Sequence, residues 1–132
     1  MPYIDSNIFL YLADNKARKD FKEISERILK RVEGGESCTI SVIILMEVLW
    51  WCEKHAKTRI KDVYDMLLSF DSIKILSLTP SIIDDAMFFK EKNKLELNDC
   101  ISIATMATTG VVEIYSNDKG FDKIEWIKRT FK

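Results

Sequence analysis

At 132 residues the chain is expected to form one domain, 1–132, around a single core. Its 20 Lys plus Arg against 21 Asp plus Glu leave a net charge of −1, so no overall basic field draws in a polyanion, and any such ligand must be met by a local patch. The three cysteines, Cys38, Cys52 and Cys100, are odd in number, lack C-x-x-C spacing and sit among apolar neighbours, which argues for buried thiols in a reducing compartment and against zinc.

In chain order, "PYID" reads as a first short strand and "DFKEISERILKRVEGGE" as an amphipathic helix stopped at Gly34-Gly35. The β-branched "SCTISV" reads as a second strand, followed by a helix from about Ile44 to Ala56 that is apolar enough to be buried nearly all round. A helix over roughly Lys61 to Phe70 and a strand at "IKIL" follow, and Thr79-Pro80 opens another helix. "LNDCISIATMATTG" reads as a helix capped by Asn98 or Asp99 and ended by Gly110, "VVEIYS" as a strand, and "IEWI" as a candidate last strand. Strands alternating with helices predict an α/β fold, a mostly parallel sheet of four to five short strands flanked by helices, with functional residues at the strands' carboxyl ends.

The opening segment has no basic stretch or cleavage site of an export signal, and "VIILMEVLWWC" is too short for a membrane span and carries a Glu at its middle. A cytoplasmic protein with no membrane association is the expectation.

Four acids stand where they are hard to explain singly. Glu47 interrupts the apolar helix, where an ionised carboxylate costs several kcal/mol unless compensated. A salt bridge or an exposed helix edge would account for it without function. Asp5 and Asp99 are both possible helix caps, and Asp118 follows "EIYS" in good turn chemistry. In an open α/β sheet, however, Asp5 and Asp118 end strands while Glu47 and Asp99 sit near the starts of helices at the same edge, so the four can converge. Converging carboxylates with no His beside them, and with Cys100 read as a buried thiol, favour a hard divalent cation, Mg2+ or Mn2+. Such an ion can activate water against a phosphodiester, so metal-assisted phosphodiester hydrolysis is the hypothesis the residues suggest.

The sequence resembles the PIN-domain family, and within it the compact toxins of the VapC type. The matching pieces, in the family's order, are "IDSNIFLYL", "ISVIILMEVLW", "LNDCISIATMATTG" and "VEIYSNDKGFDKI". The resemblance implies a PIN-like three-layer fold and a Mg2+- or Mn2+-dependent endoribonuclease whose acids are Asp5, Glu47, Asp99 and Asp118. Asn7 would support the first acid, Ser116 would stand near the metal, and Asp122 would be a fifth, outer acid. Products with a 5′-phosphate and a 3′-hydroxyl, a cognate antitoxin and a homodimer are implied as well. Gly120 departs from the family pattern, since many relatives carry a larger or charged residue there, and this bears on substrate preference more than on chemistry.

The remaining residues have plain readings. His55, the lone histidine, suits an exposed helix end, and its being alone excludes a His-pair ribonuclease mechanism. The lysines around Lys57 and Lys92 suit solvated faces, although an RNA enzyme with this net charge needs cations near its pocket; Lys16, Arg18 and Lys19, which follow the Asp5 segment, are the candidates for substrate binding. Trp50 and Trp51 either both pack internally or help form a dimer surface with the Tyr64–Leu68 helix. Two other functions compete. An aspartyl-phosphate phosphatase wants Asp where Asn7 stands, and a receiver domain wants an acidic pair and a late lysine that are not evident. A non-catalytic RNA-binding or scaffold module of the same fold has no reason to keep Glu47 in its helix.

Overall fold

A computed structural model describes residues 1–132. In chain order the elements are β1 (Tyr3–Ile4), α1 (Ser6–Ala13), α2 (Lys19–Glu33), β2 (Cys38–Ser41), α3 (Val42–His55), α4 (Ile60–Leu68), β3 (Ile73–Leu76), α5 (Pro80–Lys92), α6 (Leu97–Thr109), β4 (Glu113–Tyr115) and β5 (Lys128–Thr130). The five strands form one sheet in the order β3-β2-β1-β4-β5, and every pairing is parallel. This is the expected α/β sheet between helices.

The order has a direct consequence for function. The chain builds from β1 through β2 to β3 on one side, then returns to add β4 and β5 on the other side of β1. The reversal therefore falls between β1 and β4, where connections leave in opposite directions and open a crevice at the carboxyl edge. Asp5 and Ser116 stand one residue past these two strands. The Asp5 amide donates to the Tyr115 carbonyl at 3.0 Å, which carries the ladder to the edge of that crevice.

The core is a continuous cluster that includes Tyr3, Ile4, Ile28, Ile40, Ile44, Val48, Ile103 and Ile114. Tyr3 is fully buried, and its hydroxyl bonds Ser41 Oγ and Ser102 Oγ, both at 2.9 Å, so one polar group in the middle of the sheet ties β1 to β2 and α6. Burial without a nearby positive charge pushes its phenol well above the ordinary range. All three thiols are buried and free.

Three expectations need correction. The helix buried on all sides is α6, where Cys100 to Met106 are buried without a break, whereas α3 buries Ile43, Ile44, Val48 and Cys52 along one side and leaves Trp50 about half exposed at 51%. α6 crosses the sheet and is covered by its neighbours; α3 has its other side at the surface. The start of α6 is capped by Glu96 backbone, not by Asn98 or Asp99, which lie inside the first turn. Finally, "IEWI" is not a strand. Ile127 N–H closes a turn onto the Ile124 carbonyl at 3.1 Å, and β5 begins one residue later with Lys128 opposite Glu113.

Candidate active site

The first acid is fixed by its own helix. Asp5 has the extended backbone of an N-cap, and its Oδ1 accepts from the Ser6 amide at 2.8 Å. Its other oxygen, Oδ2, faces across the crevice and accepts from Ser116 Oγ at 2.6 Å and from Asn7 Nδ2 at 3.2 Å. Ser116 in turn accepts from the Asp118 amide at 2.9 Å, and Asp118 Oδ1 accepts from the Gly120 amide at 2.8 Å. The capping and turn roles that would account for Asp5 and Asp118 without function are thus real. They also align both side chains into one relay.

Glu47 and Asp99 reach the same place from two helices. With Asp5, Ser6, Asn7, Asp118, Gly120, Lys94, Glu96 and Lys123 they line one cleft of about 400 Å3, in which Leu95 is the single apolar lining residue. A wall of that kind suits a polar ligand and gives nothing to an apolar one. Glu47 is half-buried in the second turn of α3 and forms no salt bridge, so its position in an apolar helix is explained by the cleft. Asp99 caps nothing and has no hydrogen-bond donor on its carboxylate, so the capping reading does not hold for it.

The electrostatics follow from crowding. Burial, and then the negative charge of Asp118, hold Asp5 up at about 6 even though Ser116 and the Ser6 amide pull the other way. Glu47 is pushed up to about 7 by burial and by Asp5, with the side chains of Asn98 and Ser6 opposing. Asp99 rises furthest, to about 8, first by burial and then by Asp5, Asp118, Glu47 and Glu96 together. Acids that destabilise one another in this way keep their charge at neutral pH when a counter-charge is supplied.

The donor set decides which counter-charge fits. It is all oxygen, with no imidazole or thiol, which suits Mg2+ or Mn2+. No group of three or more His, Cys, Asp or Glu side chains stands ready to hold a metal ion by itself. Mg2+ requires less than that, because it keeps several waters and binds through one or two carboxylates and substrate oxygens.

The other sequence candidates fall into place around this cleft or away from it. Asn7 and Ser116 are on the relay. Asp122 lies outside the cleft, exposed and paired in two-pronged fashion with Arg129, Oδ1 to Nε and Oδ2 to Nη2 both at 3.0 Å, and this ion pair holds its carboxyl below the ordinary range. Arg129 Nη1 also donates to the Ser116 carbonyl at 3.3 Å, so the pair braces the strand end that carries the relay. Lys16, Arg18 and Lys19 are likewise absent from the cleft wall; Arg18 pairs with Asp20 at 2.7 Å and stacks on Phe21. The cations that do line it are Lys94 and Lys123. Sequence reasoning missed Lys123 and Arg129, and it grouped Lys94 with a solvated face.

Comparison with known families decides the classification. The model of the PIN domain matches residues 3–127. The chain belongs to the PIN domain family. No curated protein matches its sequence. Among solved structures, this PIN domain is similar to VapC20 of Mycobacterium tuberculosis, described as a Sarcin-Ricin loop cleaving toxin, with TM-score 0.80 and 12% identity over 96% of this chain and 97% of that one. It is also similar to VapBC2 of Rickettsia felis bound to a DNA fragment from its promoter, at TM-score 0.73 and 16% identity with 98% of each chain covered. A toxin–antitoxin complex from Klebsiella pneumoniae matches at TM-score 0.71 and 19% identity over 97% of this chain and 96% of that one. The compact, VapC-like form of the fold is therefore shared along nearly the whole chain.

Proposed function

We propose that this PIN domain, taken as one domain over 1–132, is a Mg2+- or Mn2+-dependent endoribonuclease and the toxin of a toxin–antitoxin pair. The observation that carries the reading is the convergence of Asp5, Glu47, Asp99 and Asp118 at the sheet's switch point, with three of the four pushed toward neutral pH by burial and mutual repulsion. A structural role does not account for Asp99, whose carboxylate caps nothing.

In this reading Asp5, Glu47, Asp99 and Asp118, which line one cleft, would together hold the cation. The bound ion supplies a lowered pKa for coordinated water and neutralises charge that builds on the phosphate. Ser116 and Asn7 hold Asp5 Oδ2 in one orientation. Gly120 N–H does the same for Asp118 Oδ1. Asp122 and Arg129 are positioning residues, acting through the Ser116 backbone. Lys94 and Lys123 stand together in the cleft wall and meet the RNA phosphates next to the one being cut.

The partners follow from what the similar structures are described as. Two of the three are complexes of toxin with antitoxin, which supports a cognate antitoxin here, laid across the acidic cleft. A homodimer is supported by exposed apolar residues that a monomer has little reason to keep, Trp50 on α3 and Leu68 on α4 at the expected face, and Ile83, Met87 and Phe88 on α5. No helix is long and apolar enough to cross a membrane.

Incubation of the protein with total RNA in Mg2+ or Mn2+, followed by sequencing of fragment 5′ ends, tests the activity. Discrete cleavage that disappears with chelator and in Asp99→Asn supports it. Equal cleavage by Asp99→Asn would remove the site from the mechanism.

A further inference from the structure

α3 carries Trp51 one turn beyond Glu47 and His55 one turn beyond Trp51, so the three follow one side of the helix away from the acids. α1 starts at the same sheet edge, packs beside α3, and ends at Ala13. Where the two helices finish there is a second hollow of about 300 Å3, lined by Ala13, Asp14, Lys16, Trp51, His55 and Arg59 among others. The Trp51 and His55 rings lie 5.0 Å apart at 34°, a tilted stack with Trp51 half-buried and His55 exposed. Arg59 Nη1 donates to the Ala13 carbonyl at 3.3 Å, which ties the guanidinium to the wall of the hollow.

Neither Lys16 nor Arg59 has an acidic partner. The one carboxylate in the lining, Asp14, turns its Oδ1 to the Lys16 amide at 2.9 Å. Two unpaired cations beside a stacked aromatic pair form the combination that grips single-stranded nucleic acid, cations on phosphate and a ring face on a base. The distance also suits such a ligand. From Asp5 to Asp14 along α1 is about 13 Å at 1.5 Å per residue, within the reach of a short stretch of single strand.

We propose that this hollow is a second RNA-binding subsite, which holds a nucleotide of the same strand whose scissile phosphate lies among the acids. Its base packs on the exposed His55 ring against Trp51, and its phosphate lies between Lys16 and Arg59. The subsite rests on the ribonuclease reading, and it gives a protein of net charge −1 a local basic patch next to an acidic cleft. It also separates Lys16 from Arg18 and Lys19, which stand outside the hollow.

The test uses a fluorescent single-stranded RNA and the Asp99→Asn protein in chelator, so that binding is read without cleavage. Lys16→Ala/Arg59→Ala added to that background should weaken binding by at least about tenfold and make the salt dependence shallower, by about 0.7 in slope for each phosphate that no longer meets a cation. His55→Ala, which removes an exposed ring and leaves the core intact, and Trp51→Phe should weaken binding with little change in that slope. In the cleaving protein the same changes should raise KM and spare kcat. Thermal melting checks that each variant is folded.

Unchanged RNA affinity and salt slope in Lys16→Ala/Arg59→Ala and in His55→Ala, while the Asp99→Asn protein binds RNA and the wild type cleaves it, would overturn the subsite alone. Variants that keep RNA affinity but lose the cognate antitoxin would overturn it too and assign the hollow to a protein. A wild type that neither binds nor cleaves RNA would bring down the ribonuclease reading first.

Discussion

Replacing Asp99 with Asn should stabilise the metal-free protein, an outcome opposite to that of most substitutions in a buried region. The Asp99 carboxyl has an ordinary value of 3.8 and is raised in the fold to about 8, first by burial and then by four neighbouring acids. Between those values the folded chain holds a proton that the unfolded chain has released, so stability falls as pH rises through that window. From 3.8 to pH 7, at about 1.4 kcal/mol per pH unit, the penalty reaches about 4 kcal/mol. Asp99 is only partly shielded from water, and screening reduces this to about 2 kcal/mol. Asp99→Asn should therefore gain about 2 kcal/mol at pH 7 in chelator, or about 7 °C in melting temperature for a chain of this length. The gain should shrink by roughly half at about pH 5.5, where the interval above the unfolded value is half as long. Saturating Mn2+ should reverse the order, because the cation binds the folded wild type and returns its stability. Melting scans at both pH values, with chelator and with Mn2+, read all of this. A variant that melts at or below wild type at pH 7 in chelator would refute the crowding of the acids.

Other outcomes follow from the same geometry. Ser116→Ala removes the 2.6 Å donor to Asp5 Oδ2 and should weaken Mn2+ binding about tenfold, as calorimetry would show, while leaving the melting temperature within a few degrees. A Cβ on Gly120 would stand 3.1 Å from both Asp118 Oδ1 and Leu95 Cδ2, so Gly120→Ala should shift Asp118 and cut the cleavage rate by about tenfold or more in single-turnover assays. Arg129→Met and Asp122→Asn should each slow cleavage several-fold, and the double variant no more than either alone, because both act through one ion pair on the Ser116 carbonyl; additive losses would separate them.

The parts of the fold that the sequence made legible are those that pattern reports. β2 and β3 are β-branched runs, α2 has its apolar residues at helical spacing, and α5 opens on Thr79-Pro80 with the Thr79 hydroxyl accepting from the Ile82 amide at 3.2 Å. β5 was not legible because Lys-Arg-Thr has no apolar alternation; an edge strand needs only its backbone and one neighbour, and here β4 supplies it. The degree of burial was misassigned between α3 and α6 for a related reason. α6 is the mixed-looking segment with Ser102 and Thr105, yet both hydroxyls have partners, Ser102 the Tyr3 hydroxyl on β1 and Thr105 the Ile101 carbonyl one turn back, and so can be fully enclosed.

The acids of the cleft could be read from the sequence because Asp5 and Asp118 follow strands, and Glu47 and Asp99 lie in the first two turns of helices, at the edge the topology favours. Their supporting cations could not. Lys94 reaches the cleft from the loop before α6 and Lys123 from the end of a short 3-10 helix over Lys119–Lys123, and Lys123 Nζ even contacts the Lys94 carbonyl at 3.4 Å, a juxtaposition that depends on how two distant segments fold together. Arg129 is hidden in the same way, since in sequence its partner Asp122 reads as one more acid of the site, and only the fold brings the two together.

The central claim is that Asp5, Glu47, Asp99 and Asp118 form a divalent-cation site. Titration calorimetry with Mn2+ on the wild type, Asp5→Asn and Asp99→Asn, in two buffers of different ionisation heat at about pH 7, addresses it without assuming a substrate. Binding by the wild type with release of protons, and loss of binding in both variants, is the predicted result. Absence of Mn2+ binding, or binding that survives both substitutions unchanged, would contradict it.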